Sequence, residues 1–90
     1  MQGKNIDDKI EKMLQDKGAT NIKFYMLVNN DGFTFEIGGV KFDLRHWRNV
    51  YGVETDFWDV NFLTTPNEES HALAGEIKAE ANKINEEAWE

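Results

Sequence analysis

The sequence predicts an α+β fold: an antiparallel three- to four-stranded meander packed by an N-terminal helix and a long C-terminal helix, in the order α-β-β-β-(α)-β-α. Three observations carry it. Apolar residues recur at helical spacing near both ends, they alternate with period two in the middle, and Asn/Asp/Gly pairs punctuate the alternating runs. Ninety residues hold one domain, 1–90, because a second core would not fit. The apolar supply suffices for a small aromatic core: 40% of residues are hydrophobic, among them six Phe, three Trp and two Tyr.

In the first element, Ile6, Ile10, Met13 and Leu14 fall at i, i+4, i+7 and i+8, one face of an amphipathic helix. Asn5 is placed to cap it, Asp7 and Asp8 to sit in its first turn, Lys17 in its last, and Gly18 to stop it. From Ile22 the period changes to two, with Ile22, Phe24, Met26 and Val28 on one face. Asn29 to Gly32, "NNDG", then reads as a tight turn, since Asn, Asp and Gly tolerate left-handed backbone. Phe33, Phe35 and Ile37 return; Gly38-Gly39 gives a second hairpin; Val40, Phe42 and Leu44 follow, alternating with Lys41 and Asp43.

"DLRHWRNVYG" has two readings. As a helix, Asp43 caps it, Leu44, Trp47 and Tyr51 share a face, and Gly52 ends it; as a strand it continues the meander, so residues 43–52 stay open at this point. Trp58, Val60 and Phe62 alternate with Asp59 and Asn61 as a fourth strand. In "TTPNEE", Thr65 reads as the N-cap, Pro66 as N1 and Glu68 as the third residue of a capping box. The last helix runs from Pro66 towards Trp89 on a stripe of Leu73, Ile77, Ala81, Ile84 and Ala88.

Charge narrows the function. The net charge is −7, and residues 64–90, with two bases and seven acids, hold −5 of it. Such a surface disfavours direct contact with nucleic acid or anionic membrane and favours a basic protein patch. No run of residues is apolar enough to cross a bilayer, and the N-terminus lacks a signal-peptide core. The absence of Cys fits a reducing cytoplasm, which for a phage-encoded protein is that of the host.

The chemical motifs are sparse. Aligning "NNDG" on a calcium loop puts Leu27 and Gly38 at the terminal ligand positions, so a hairpin is the better reading. Glu68 and His71 make a single Glu-x-x-His, where di-iron bundles use two. His46 has Asp43 nearby but no nucleophile motif, and the chain contains one Ser, Ser70. Arg45, Trp47, Arg48 and Tyr51 alternate base and aromatic as in single-strand binders, but the run is short in an acidic chain. These patterns predict no enzyme, no metal and no cofactor.

The C-terminal helix carries the sharper signal. At 100° per residue, Glu69, Glu76, Glu80 and Glu87 lie within about 40° of one another, beside the Leu73/Ile77/Ile84 stripe. They form an acidic ridge about 27 Å long. Stacked like charges without interleaved Lys suggest a surface for a basic groove that otherwise holds phosphates, with Glu54, Asp56 and Asp59 assisting.

"NIDDKIEKM" followed by "LVNNDG" resembles the small acidic anti-CRISPR proteins that block the DNA-binding groove of RNA-guided nucleases. The resemblance covers about residues 5–32 and rests on Asn5, Ile6, Asp8, Ile10 and the Val28-to-Gly32 segment. It implies a DNA-mimicking inhibitor acting at the PAM-reading site, where Arg side chains contact bases. In that family the inhibitory acids lie beyond the hairpin and match no position here, so no residue role is carried over. Two alternatives stand beside this expectation. One is a structural protein or homodimer joined through Phe57, Trp58 and Trp89; the other is an immunity- or antitoxin-type protein neutralising a basic partner.

Overall fold

The structure, a computed structural model, describes residues 2–28, 30–48 and 56–88, with side chains over 6–28, 30–47 and 57–87. Helix α1 (Gln2–Asp16) leads into strands β1 (Thr20–Met26), β2 (Asn30–Ile37), β3 (Val40–Arg48) and β4 (Asp56–Phe62), and helix α2 (Glu68–Ala88) closes the fold. The four strands form one antiparallel sheet in sequential order, β1-β2-β3-β4. This is the α+β meander the sequence predicts. The Cα radius of gyration is 12.7 Å, close to the roughly 12 Å expected of a chain this long folded about one core.

Local chemistry sets the element ends. After α1, Gly18 adopts φ +86°. Its N–H donates to Gln15 C=O (3.0 Å) and that of Ala19 to Leu14 C=O (3.0 Å). This doubly bonded left-handed stop is a Schellman motif, and it needs a residue that accepts positive φ. Gly38 and Gly39 both have positive φ, 58° and 80°, which a type I′ hairpin between the paired Ile37 and Val40 demands.

Three expectations are corrected and one open reading is decided. Helix α1 begins at Gln2, so Asn5 lies within it and Asp7 and Asp8 fall beyond its first turn, while Lys17 follows its last residue. The first hairpin reverses earlier than "NNDG": Leu27 N–H donates to Asn30 C=O at 2.7 Å, and Asp31 and Gly32 belong to β2. Residues 43–48 are strand, because β3 pairs along its whole length with β2 and β4, a ladder no isolated periodicity reveals; Tyr51 and Gly52 lie outside the described residues. Helix α2 is capped by Asn67 rather than Thr65. Asn67 Oδ1 accepts the Ser70 N–H (2.8 Å), and Asn67 N–H donates to Ser70 Oγ (2.6 Å). Ser70 thus takes the reciprocal position assigned to Glu68.

Both helices cover one sheet face. Ile6, Ile10, Met13 and Leu14 of α1 and Ile77 and Ala81 of α2 are buried in one cluster with Phe33, Phe35, Val40, Phe42, Leu44 and Trp58. Phe35 stacks on Phe42 with centroids 5.2 Å apart, and Phe42 meets Phe62 at 5.4 Å. Helix α2 packs mainly on β4 and on α1. Asn82 ties it to the β4 backbone, accepting the Trp58 N–H (2.8 Å) and donating to its C=O (3.1 Å).

Strand β1 behaves differently from its expected pattern. Phe24 faces the core side and meets Phe33 edge-on at 5.3 Å. It is nevertheless 45% exposed, Met26 is 66% exposed, and Val28 is 94% exposed. Neither helix covers this end of the sheet.

Candidate partner-binding surface

The acidic ridge is anchored from beneath. Ile77 and Ala81 are fully buried, so the flank of α2 about a quarter to a third of a turn away projects outward. Glu69, Glu76 and Glu87 are exposed and Glu80 is half-buried. The ridge runs along the side of α2 that meets α1. Lys17, just past the α1 stop, reaches Glu76 at 3.4 Å and forms a shorter ion pair with Glu80. Its ammonium is held above the usual lysine range, first by the hydrogen bond to Glu80, with partial burial opposing.

Between the helices lies an open groove of about 540 Å³ whose lining includes Lys9, Lys12, Lys17, Lys83, Glu80 and Glu87 over Met13 and Ile84. The stacked glutamates therefore have nearby cations: Lys83 on α2 itself, and Lys9, Lys12 and Lys17 from across the groove.

The supporting acids separate. Asp59 sits on the helix-free face of β4, where its Oδ1 is 3.3 Å from Lys78 Nζ and accepts the Val60 N–H at 2.9 Å. Asp56 begins β4, but its side chain lies outside the described residues, as does all of Glu54. Trp58 is 0% exposed and belongs to the core, so it is removed from the self-association surface expected with Phe57 and Trp89. Trp89 also lies outside the described residues.

A second polar cluster, missed in the sequence, occupies the sheet face opposite the helices. Tyr25, Gly32, Arg45 and Asp59 form one row across the four strands. Tyr25 Oη donates to Asp43 Oδ1 (2.7 Å); Arg45 donates through Nε to Tyr25 Oη (3.0 Å) and through Nη2 to Asp43 Oδ2 (3.0 Å). The guanidinium also lies over Trp47, 5.3 Å from its centroid. Asp43, Arg45 and Trp47 stand at i, i+2 and i+4, a spacing that gathers side chains only in a strand. With the segment left open between helix and strand, the cluster stayed hidden.

Burial, then the hydrogen bond to Asp43, pushes the Tyr25 phenol up to about 12, against the pull of Arg45. The unfolded value is 10.0, so stability from the neutral phenol is intact below pH 10 and is lost as pH climbs through about 12. Phenolate absorbance is expected to show one tyrosine titrating near 12, and Tyr25→Phe to remove that transition. A wild-type protein whose tyrosines all ionise near 10 would contradict the network.

At one end of the core, His46 Nδ1 lies 3.2 Å from Asp31 Oδ1 and the imidazole stacks on Trp58 at 4.5 Å. His46 is thus buried against an acid other than Asp43. Ser70 is engaged in the helix cap, and His71 packs edge-on against Phe62 at 4.9 Å. Among the described residues no helix is long and apolar enough to cross a membrane. No protein-family model, curated protein or solved structure matches the chain.

Proposed function

We propose that this protein is a non-enzymatic binding module that lays the acidic flank of α2 against a basic site on a nucleic-acid-handling protein, as a DNA-mimicking, anti-CRISPR-like inhibitor would. The observation that carries the reading is the stiff row of carboxylates. A 21-residue helix, fixed by fully buried Ile77 and Ala81, holds Glu69, Glu76 and Glu87 in solvent and Glu80 half exposed. The helix that carries the row is already ordered, so docking costs side-chain freedom alone, which favours affinity.

The ion pairs to Lys17 do not oppose this. Exposed pairs contribute about 0–1 kcal/mol each. A partner guanidinium that binds a carboxylate bidentately in a drier interface can displace Lys17. Complementary charge would also accelerate encounter and make it salt-sensitive. An immunity- or antitoxin-type role would use the same flank against a different basic partner.

The test uses RNA-guided nucleases as probes, measuring cleavage of a PAM-bearing duplex with and without the protein. Inhibition that weakens as salt rises is expected. The triple variant Glu76→Lys, Glu80→Lys, Glu87→Lys should lose about tenfold or more in affinity. Unchanged affinity in a folded variant would remove the ridge from the interface. Failure to inhibit any nuclease would move the proposal to the immunity-type partner.

A further inference from the structure

The two edges of the sheet are finished differently. In β4 the alternate residues whose backbone groups point away from β3 include Trp58, Val60 and Phe62, and the first two have local partners. Asn82 takes the N–H and C=O of Trp58, and Asp59 Oδ1 takes the Val60 N–H. In β1 the closing hydrogen bond runs from Leu27 N–H to Asn30 C=O. Alternation along an antiparallel ladder then directs Lys23 and Tyr25 towards β2, and the N–H and C=O of Phe24 and Met26 outward. Among the described residues no side chain reaches those outward groups.

The same two residues carry exposed apolar side chains on the core face, Phe24 at 45% and Met26 at 66%, with Leu27 at 54% beside them. Edge strands are commonly blunted by charge, proline or a covering element. Between Thr20 and Val28 the one charged residue is Lys23, and there is no proline. The bulge at the positive-φ Asn21 interrupts pairing at the start of β1 and leaves the stretch after Lys23 regular.

From these features we infer that β1 is a docking edge for a second copy of this chain. The two β1 strands pair antiparallel about a two-fold axis, Phe24 of one copy opposite Met26 of the other, and make one continuous eight-stranded sheet. Charge does not oppose a second copy as the occupant, and the edge is complementary to itself. Helix α2, which with the following two residues and the preceding loop holds most of the −7, packs on β4, three strands and about 14 Å from β1. Joining through β1 therefore places the two acidic helices at opposite ends of the assembly and brings together nearly uncharged strands. This register sets Lys23 against Leu27 of the other copy, so no like charges meet. The arrangement is isologous: each copy supplies the same two outward residues and receives the same two.

Sedimentation equilibrium on the intact chain, with amide exchange at Phe24 and Met26, tests the inference. Expected is a mass of twice 10.4 kDa that dissociates on dilution, with both amides protected in the dimer and fast in the monomer. Met26→Lys, at a position already in solvent, should return the mass to that of one chain with unchanged far-ultraviolet dichroism. Should that variant misfold, the wild-type amide protection against concentration decides alone. Three outcomes overturn the inference. The first is a monomer at every concentration up to about 1 mM. The second is a dimer that ignores Met26→Lys while the two amides exchange fast. The third is a chain that stays monomeric and gains protection there only when an extended peptide of foreign sequence is added.

Discussion

Trp58→Ala is expected to lower unfolding free energy by about 3–5 kcal/mol. A 90-residue domain has a total of only about 5–13 kcal/mol, so this one change removes much of its margin. Trp58 is fully buried. Its ring lies 6.4 Å from that of Phe33 and stacks on His46 at 4.5 Å. Deleting it opens a cavity between sheet and helix and leaves the His46–Asp31 pair, 3.2 Å apart, without its aromatic lid. Trp58→Phe refills most of the volume and should cost about 1–2 kcal/mol. Urea unfolding followed by far-ultraviolet dichroism measures both, since the fluorophore itself is being changed. A loss below about 1 kcal/mol for alanine would mean that the ring is not part of the core.

Gly32→Ala should cost about 3 kcal/mol, the upper end of what overpacking does. Gly32 lies between Tyr25 and Arg45 in the row across the sheet. An added Cβ would collide with the Leu44 carbonyl oxygen, come to 2.9 Å from Tyr25 Oη and to 3.1 Å from Arg45 Cα. The nearest atom is backbone, so no side-chain rotation relieves the clash. The substitution should also loosen the Tyr25–Asp43–Arg45 cluster and bring the phenol down from about 12 towards 10.0. Loss of stability without that shift would place the strain in the backbone alone. Full stability would show that the Leu44 carbonyl does not lie against the glycine.

Much of the fold was legible because single residues make local demands. Gly18 accepts the positive φ that ends α1, and Gly38-Gly39 the pair of positive φ values that reverse β2 into β3. Period-two alternation placed Phe33, Phe35, Phe42 and Leu44 in the core, and all four are buried. The cap of α2 was misread by two residues because Thr65 and Asn67 are both competent caps, and Ser70 decides between them by bonding back to Asn67. The candidate surface was legible only as a pattern on one helix. Spacing located Glu69, Glu76, Glu80 and Glu87 together, but Lys17, 59 residues from Glu76 in sequence, could be found beside them only once α1 and α2 were packed.

The sequence by itself determined the order of elements, the turn chemistry at Gly18 and Gly38-Gly39, and the concentration of negative charge towards the C-terminus. Each depends on backbone preferences and side-chain spacing within a few residues. The tertiary structure decided that residues 43–48 extend β3, because pairing with β4 supplies hydrogen bonds that a short helix there would forgo. It likewise decided that the apolar face of β1 stays exposed while Asn82 covers the β4 edge at Trp58. Which strand edge meets a helix is set by packing between distant segments, and no local periodicity encodes it.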